Sequence, residues 1–320
     1  MPALVSVVVP VHDGAAHVAQ TLTAVLAQTH ADVELIVVDD GSSDDTLAEV
    51  KRAAPTARVL RRDRAGGVSV ARNEGLAAAG GRFVCFLDQD DIWHPSHLAR
   101  QVAAFARAPE LGAVVVPYQH WYPDTHGEPA PGRLWPEQAD DGFAPDFTGW
   151  VYHQFLIDCW ALTSATMLRR EALDDVGAFD PNRPYGEDWE LWLRLSRRWR
   201  FGRLGGPPVL YRQHPSQGSR RARDVDHRTE LLTSNAHEHG LASRDGRAVP
   251  ARLFRQNLAR YRKEFGLHHL LHGDAVIGRG ALWQAWRNDP LRLRVLAMAV
   301  AASAGWRPQP VTALQPPTTT

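Results

Sequence analysis

The chain predicts an α/β fold: a mostly parallel sheet with helices on both faces, then a helical C-terminal extension. Three observations predict it. Short β-branched runs alternate with segments of helical periodicity through the first third of the chain, the order of a parallel sheet with crossover helices. The runs are apolar throughout, as strands covered on both faces are. From Asp224 to about Ser303 the pattern is helical.

The elements follow in order. Val5 to Val9 is the first strand, closed by Pro10, and Val18, Leu22, Val25 and Leu26 recur at helical spacing. Val33 to Val38 is the second strand and ends in Asp39-Asp40-Gly41-Ser42. Ser43 or Asp44 is suited to cap the next helix, whose inner face is Leu47 and Val50. Arg58 to Leu60 is a short third strand. Ser69 to Ala79 is a helix stopped by Gly80-Gly81, and Phe83 to Leu87 is a fourth strand ending at Asp88. Pro95 suits a first helical position, with Leu98, Val102 and Phe105 on one face behind it. Ala113 to Val116 is the fifth strand.

Tyr118 to Phe147 breaks the rhythm with Pro123, Pro129, Pro131, Pro136 and Pro145 and reads as a long functional loop. A strand is expected at Thr163 to Leu168, a helix at Glu187 to Arg198, and strands near Phe201 and Val209. Arg307 to Thr320 reads as a loose tail.

Composition narrows the class. A 44% hydrophobic and 22% charged chain of 320 residues is globular, neither disordered nor collagenous. Cys85 and Cys159 are too few for a disulfide framework or a four-cysteine zinc site, so a reducing cytoplasm is the expected compartment. Net charge is zero but unevenly laid out. Residues 1–211 hold 19 Lys+Arg against 28 Asp+Glu, a net of −9, and residues 212–320 hold 17 against 8, a net of +9. That split suggests an acidic site in front and a tail that meets anions. Met1 to Val11 lacks a basic flank and reads as a strand, not a signal peptide. The uncharged run Val295 to Trp306 would be roughly 18 Å long as a helix, short of a ~30 Å hydrocarbon core.

The chemistry sits at strand ends. Asp13, Asp39-Asp40 and Asp88-Gln89-Asp90-Asp91 follow the first, second and fourth strands, with Glu187-Asp188 further on. In an open parallel sheet, ligands bind beyond the carboxyl ends of the strands. A carboxylate cluster there needs a cation, and such oxygen ligands suit Mg²⁺ or Mn²⁺. His94/His97 and His268/His272 have helical spacing that could bind zinc, but without a third ligand they read as solvated faces. Trp121, Trp135, Trp150 and Trp160 fall in or near the irregular middle segment and suit stacking on sugars or core packing.

Here the chain resembles a known family. Val5-Ser-Val-Val-Val-Pro-Val-His-Asp13, Val37-Val-Asp-Asp-Gly-Ser42, Val70-Ala-Arg-Asn-Glu-Gly75, Phe86-Leu-Asp-Gln-Asp-Asp91, Gly186-Glu-Asp188 and Tyr211-Arg-Gln-His214 occur in order. Together they are similar to the signature of family 2 glycosyltransferases over about residues 4 to 217. The resemblance implies a GT-A type, Rossmann-like fold and a UDP-, dTDP- or GDP-linked sugar donor. It implies that Pro10, His12 and Asp13 line the base and that Asp40 binds the base edge with Asp39 beside it. Arg72 would approach the base or diphosphate, and Asp88 the ribose. Asp90 and Asp91 would hold the Mg²⁺ or Mn²⁺ ion, with His214 meeting the metal or the diphosphate. Position 12 is often tyrosine in relatives; here it is His12.

Those roles imply a catalytic domain at 1–217, with a nucleotide-sugar half at 1–117 and an acceptor half at 118–217. A helical extension at 218–306 and a flexible tail at 307–320 follow. Asp188 is the expected general base of an inverting transfer, since a carboxylate opposite the leaving group must take the acceptor proton. Glu187, Trp189 and Trp160 are expected at the acceptor site, and Trp192 in the core. The acceptor class is a glycan or lipid-linked glycan of cell-surface polysaccharide synthesis; no nucleic acid is expected. The basic tail, with Leu282, Trp283, Trp286, Leu291, Leu293, Val295, Leu296 and Met298 beside Arg279, Arg287, Arg292 and Arg294, suits an anionic membrane surface at the inner face of the cell membrane, or a helical cap packed on the catalytic domain.

Rival readings fit less well. A dinucleotide fingerprint is absent, because the first turn carries one glycine, Gly14. A nucleotidyltransferase would need a basic, Gly-rich first loop. A two-carboxylate hydrolase leaves the nucleotide motifs unexplained. A catalytically inactive nucleotide-sugar- or glycan-binding module of the same fold is the remaining alternative.

Overall fold

A computed structural model describes residues 3–122, 134–135, 142–214, 217–218 and 223–309. The prolines expected to break structure at 123, 129, 131 and 136 lie outside the described residues, as do residues 310–320 of the tail. The described chain divides into two units: Met1–Pro215 with Ala242–Arg247, and Ser216–Leu241 with Ala248–Thr320.

The first unit is built on a seven-stranded sheet. Its strands are β1 (Val5–Val11), β2 (Val33–Asp39), β3 (Arg58–Arg61), β4 (Phe83–Phe86), β5 (Leu111–Val115), β7 (Thr166–Arg169) and β8 (Arg200–Arg203), in the order β3-β2-β1-β4-β7-β5-β8. All neighbours run parallel except β7, which is antiparallel to β4 and β5. A second, two-stranded sheet pairs β6 (Tyr118–Trp121) with β9 (Val209–Arg212) in parallel. β6 lies within the stretch expected to be loop, and its last residue, Trp121, is buried. Thr163 to Ala165, expected to be strand, is a single 3-10 turn before β7.

The strand order explains the place of the site. β1 has β2 on one side and β4 on the other, so the chain's path reverses there and leaves a crevice beyond the carboxyl ends. Every residue of β1 is buried, and Val11 pairs with Asp39 and Val8 with Phe86. The acidic ends of β1, β2 and β4 are thereby adjacent. Helices α1 (Val18–Leu26), α2 (Thr46–Ala53), α3 (Val68–Ala78) and α4 (His97–Arg107) occupy the crossovers. Neither Ser43 nor Asp44 is the N-cap of α2; that position is Asp45, whose side chain makes no capping bond, and Asp44 instead braces the helix start, its Oδ1 accepting from Thr46 N at 3.0 Å and its Oδ2 from Ala15 N at 3.1 Å. Gly75 lets α3 seat closely on β1, since a Cβ there would lie 2.3 Å from Val8 Cγ1. His97 does not lie on a solvated face. It is buried and stacked on Trp93 at 4.3 Å, and burial pushes its pKa down to about 3.

The short helices α5 (Tyr152–Phe155) and α6 (Arg170–Val176) precede α7 (Glu187–Ser196). Ala242–Arg247 belongs to this unit, where Ser243 Oγ meets His153 Nδ1 at 2.7 Å and Arg247 Nη2 donates to Trp150 O at 3.1 Å.

The second unit is helical, as expected: α8 (His227–His239), α9 (Ala251–His272), α10 (Ala275–Asn288) and α11 (Leu293–Ser303). Leu270 of α9, Leu282 of α10, and Ala299 and Ala302 of α11 form its core, with Leu267, Trp283 and Met298 packed around them. Among the described residues no helix is long and apolar enough to cross a membrane.

Candidate active site

Three loops meet in the crevice. After β1, Asp13 adopts φ 45°, the left-handed region that aspartate tolerates better than most residues. Its Oδ1 accepts from Ser43 N at 2.7 Å, and the Ser43 N–H holds the carboxyl below the usual range. Asp13 is thereby a brace for the β2 loop. His12 projects with half of its ring exposed, its Nδ1 3.0 Å from Asp40 O. Pro10 is buried within β1 opposite Val38 and shapes the strand end without offering a surface.

After β2, the two aspartates, expected together at the base edge, meet different partners. Asp40 is buried and engaged: Oδ1 accepts from Gly66 N and Oδ2 from Gly67 N, each at 2.8 Å, and Arg62 Nε stands 2.8 Å from Oδ1. It holds the loop before α3. Asp39 Oδ1 accepts from Ser42 N at 3.0 Å, but its Oδ2 is buried with no hydrogen-bond partner, the Arg61 guanidinium standing 3.7 Å off. Asp39, not Asp40, carries the unfilled acceptor.

After β4, Gln89 clasps His12 through both backbone groups, His12 N to Oε1 at 2.8 Å and Nε2 to His12 O at 3.1 Å. Gln89 has no role assigned from the sequence; the fold gives it this one. Asp90 and Asp91, expected to share a cation, point to different surroundings. Asp90 Oδ2 lies 2.8 Å from His214 Nε2, both side chains mostly buried. Burial, then the charge of Asp88, raises the Asp90 pKa while His214 opposes the shift. Asp91 is fully buried. Its Oδ1 accepts from Arg212 N at 3.2 Å, and its Oδ2 is buried without a hydrogen-bond partner. Burial and the neighbouring Asp90 and Asp88 push its pKa well up.

The ladder between Ile92 and Leu210 brings β9 beside this loop. Arg212 fastens it: Nε donates to Asp90 O at 2.9 Å, Nη2 to Gln20 Oε1 at 2.5 Å, and the guanidinium lies 4.3 Å over Trp121. His17 packs against His214 at 4.9 Å between ring centroids. Arg212 stood in the Tyr211–His214 motif without a role of its own, and His17 carried no signal, because the start of α1 and β9 are far apart along the chain.

Arg72 was expected at the donor but is 3% exposed and bridges two carboxylates. Nη2 donates to Asp88 Oδ1 at 2.6 Å and Nη1 to Glu187 Oε1 at 2.8 Å, and the guanidinium lies 5.2 Å from the Phe179 ring centroid. Burial works against its charge, but Asp88 and Glu187 outweigh it and hold its pKa above the ordinary value. Glu187, expected at the acceptor, is thus the partner of Arg72.

Gly186, at φ 70°, turns the chain into α7. Asp188 in the first turn accepts from Trp189 N on Oδ1 at 2.7 Å and from Thr163 Oγ1 on Oδ2 at 3.1 Å. Burial, then the Glu187 charge, pushes its pKa up to about 6, against the pull of Arg72. Trp189, expected at the acceptor site, is buried and donates from Nε1 to Phe155 O at 2.7 Å. Trp192 is core, as expected. Trp160 is partly exposed and stacks on Phe155 at 4.9 Å.

The model of the family described as Glycosyl transferase family 2 matches residues 6–177. The chain belongs to glycosyl transferase family 2. Among its relatives this family 2 transferase is 30% identical over 193 residues to an uncharacterised glycosyltransferase of Nostoc sp., covering 59% of this chain and 56% of that one. It is 31% identical over 245 residues to the O-antigen biosynthesis protein RfbC of Myxococcus xanthus, 74% of this chain and 18% of that one. A 101-residue stretch is 39% identical to the Escherichia coli UDP-Glc:alpha-D-GlcNAc-diphosphoundecaprenol beta-1,3-glucosyltransferase WfgD, 31% of this chain and 40% of that one. The chain therefore spans well under two thirds of these relatives' lengths.

Solved structures share the GT-A fold. S. aureus TarS 1-349 in complex with UDP-GlcNAc superposes with TM-score 0.58 at 18% identity, over 94% of this chain and 87% of that one. Mannosyltransferase PcManGT of Pyrobaculum calidifontis, in complex with GDP-Man and Mn2+, gives 0.56 at 21%, over 97% and 77%.

Proposed function

We propose that this protein is an inverting glycosyltransferase of cell-surface polysaccharide synthesis. It would move a sugar from a UDP-, dTDP- or GDP-linked donor to a hydroxyl of a glycan or lipid-linked glycan. One observation carries the reading: the acidic ends of three neighbouring strands adjoin, and Asp88 beyond β4 is tied through Arg72 to Glu187, next to Asp188, a partly desolvated carboxylate on the first turn of a helix. Relatives named for O-antigen synthesis and for a diphosphoundecaprenol-linked acceptor support the acceptor class.

A divalent cation fits the residues present. Asp90 and His214 form an adjacent oxygen and nitrogen donor pair, and desolvation leaves Asp90 short of compensating positive charge. Among the described residues no three such side chains converge, so such a cation would have to take its remaining ligands from elsewhere, as a diphosphate supplies. Asp90 and His214 would hold Mg²⁺ or Mn²⁺; when bound, it offsets the negative charge growing on the departing diphosphate. Asp91 keeps the β9 segment, and with it His214, against the loop.

The chain's own groups do the rest. Asp39 Oδ2 accepts the ring N–H of the base, and the exposed His12 ring lies against the base. Asp88, still 31% exposed beside Arg72, meets the ribose. Asp188 takes the proton from the acceptor hydroxyl as it attacks opposite the leaving diphosphate.

Two tests follow. A native mass-spectrometric screen of UDP-, dTDP- and GDP-sugars should show one base class retained with Mn²⁺ and weakened by EDTA. Asp90→Ala should weaken donor binding about tenfold or more. Retention of no nucleotide sugar would overturn the donor assignment, and equal binding by Asp90→Ala would overturn the cation's. The aspartate pair gives the second test. Asp39→Asn should weaken donor binding about tenfold, because a charge-assisted hydrogen bond becomes a neutral one, with the melting temperature little changed. Asp40→Asn should lower the melting temperature, since an amide cannot accept from both Gly66 and Gly67. The reverse pattern would restore the base edge to Asp40.

A further inference from the structure

We propose that the outer face of α11 is a membrane-contact surface that seats this enzyme on anionic lipid headgroups. The proposal rests on the lipid-linked acceptor reading only for its purpose, not for its evidence.

The observation is a helix that is apolar on both sides. Val295, Ala299 and Ala302 face inward, and the last two belong to the core that also holds Leu270 and Leu282. That packing accounts for α10 and for the inner half of α11, so the sequence expectation is corrected for Leu282 and Val295, which are buried and unavailable to lipid. It does not account for the other half. Leu293, Ala297, Val300 and Ala304 recur at i, i+4, i+7 and i+11 and are all exposed, Leu293 by 71% and Val300 by 52%. Leu291, 78% exposed, precedes the stripe, and Trp306, 40% exposed, follows it. A helix with polar residues on its outer face is the norm for a water-facing surface, and an apolar outer face needs a covering.

The charge around the stripe selects the covering. Arg292, Arg294 and Arg307 flank it, and no Asp or Glu occurs after Asp289. Asp289 itself is paired with Arg292, Nε to Oδ2 at 2.8 Å. The stripe is therefore apolar along its middle, and the charged residues that flank it along the chain after Asp289 are all arginines. A protein partner would have to bury these leucines against apolar side chains while also answering Arg294 and Arg307. An anionic bilayer does both at once, acyl chains below and phosphates at the rim. Trp306 at the end of the helix has the amphipathic ring that suits the headgroup level. The helix, Leu293–Ser303, is too short to span, so it would lie in the plane.

The test is flotation of the full chain with vesicles of phosphatidylcholine alone, or with 30 mol%, about a third, phosphatidylglycerol. Binding is expected to the anionic vesicles only, and to weaken with salt. Leu293→Asp/Val300→Asp should lose tenfold or more of it. Arg294→Gln/Arg307→Gln should lose about fivefold per arginine. Both pairs are exposed, so circular dichroism should stay unchanged and donor hydrolysis, read in parallel, should survive. Loss of hydrolysis in the parent chain would count against the transferase reading and leave the membrane result standing by itself. Absence of vesicle binding at low salt, or binding by both variants equal to the parent's, would overturn the proposal. So would a concentration-dependent dimer in sedimentation that the Leu293→Asp/Val300→Asp chain no longer forms, which would assign the stripe to a second copy.

Discussion

Replacing Asp188 by Asn should lower kcat by roughly 10²-fold or more, within the usual range for a lost general base, while donor affinity stays within about twofold. The substitution keeps the shape and the bond from Trp189 N, and its amide N–H can donate to Thr163 Oγ1 where the carboxylate accepted, but it cannot take a proton. The pH profile gives a sharper reading. A base must start deprotonated, and burial pushes Asp188 up to about 6. The parent rate should therefore rise with pH through about 6 and level off above it, and the residual activity of Asp188→Asn should lack that limb. Stability should move the other way. A carboxyl raised from 3.8 to about 6 binds its proton more tightly when folded than when unfolded. Its contribution is full below about 4, is lost as pH rises through about 6, and is absent at neutral pH. Asn carries no charge to desolvate, so the variant should melt at a higher temperature than the parent at pH 7.5 and show less advantage at pH 4.5. A variant that keeps more than half of the parent kcat would assign the base to another group.

The parts of this architecture legible in the sequence are those whose signal is local. Buried parallel strands read as continuous apolar runs, so β1, β2 and β4 were placed within a residue or two, and the strand-end carboxylates came with them. β6 was lost because Tyr118 to Trp121 is short, mostly exposed and stabilised by a partner some ninety residues away in β9. The site divides along the same line. Residue types at strand ends pointed to donor and cation chemistry, but which carboxylate is free depends on pairings the chain order hides. Asp40 looks equivalent to Asp39 until Gly66 and Gly67 fill both its oxygens. Trp189 and Asp188 are adjacent, yet a helix sends them to different surroundings, one into the core and one to Thr163. Arg72 is the plainest case: arginine near a nucleotide site suggests phosphate, and only the fold supplies Glu187 from 115 residues away.

Arg72→Met should therefore damage the fold and the chemistry together. Methionine fills much of the volume but leaves Asp88 and Glu187 without their shared cation. Breaking a buried pair by removing one partner costs about 3–5 kcal/mol. Here the lower end applies, about 3 kcal/mol, because Asp88 is 31% exposed and recovers part of its hydration. The melting temperature should fall by roughly 5–10 °C. A merely structural arginine would stop there. Arg72 also draws the Asp188 pKa down against burial and the Glu187 charge. Without it the rising limb of the pH–rate profile should move to higher pH than the parent's, and kcat at pH 6 should fall more than kcat at pH 8. Arg72→Lys tests the geometry. A single ammonium keeps the charge but cannot reach two carboxylates through a planar fork, so it should restore most of the limb's position and only part of the stability. An Arg72→Met chain with the parent's melting temperature would show the bridge to be idle. One that is destabilised but keeps the parent's limb would confine Arg72 to packing and leave Asp188 to be tuned by burial alone.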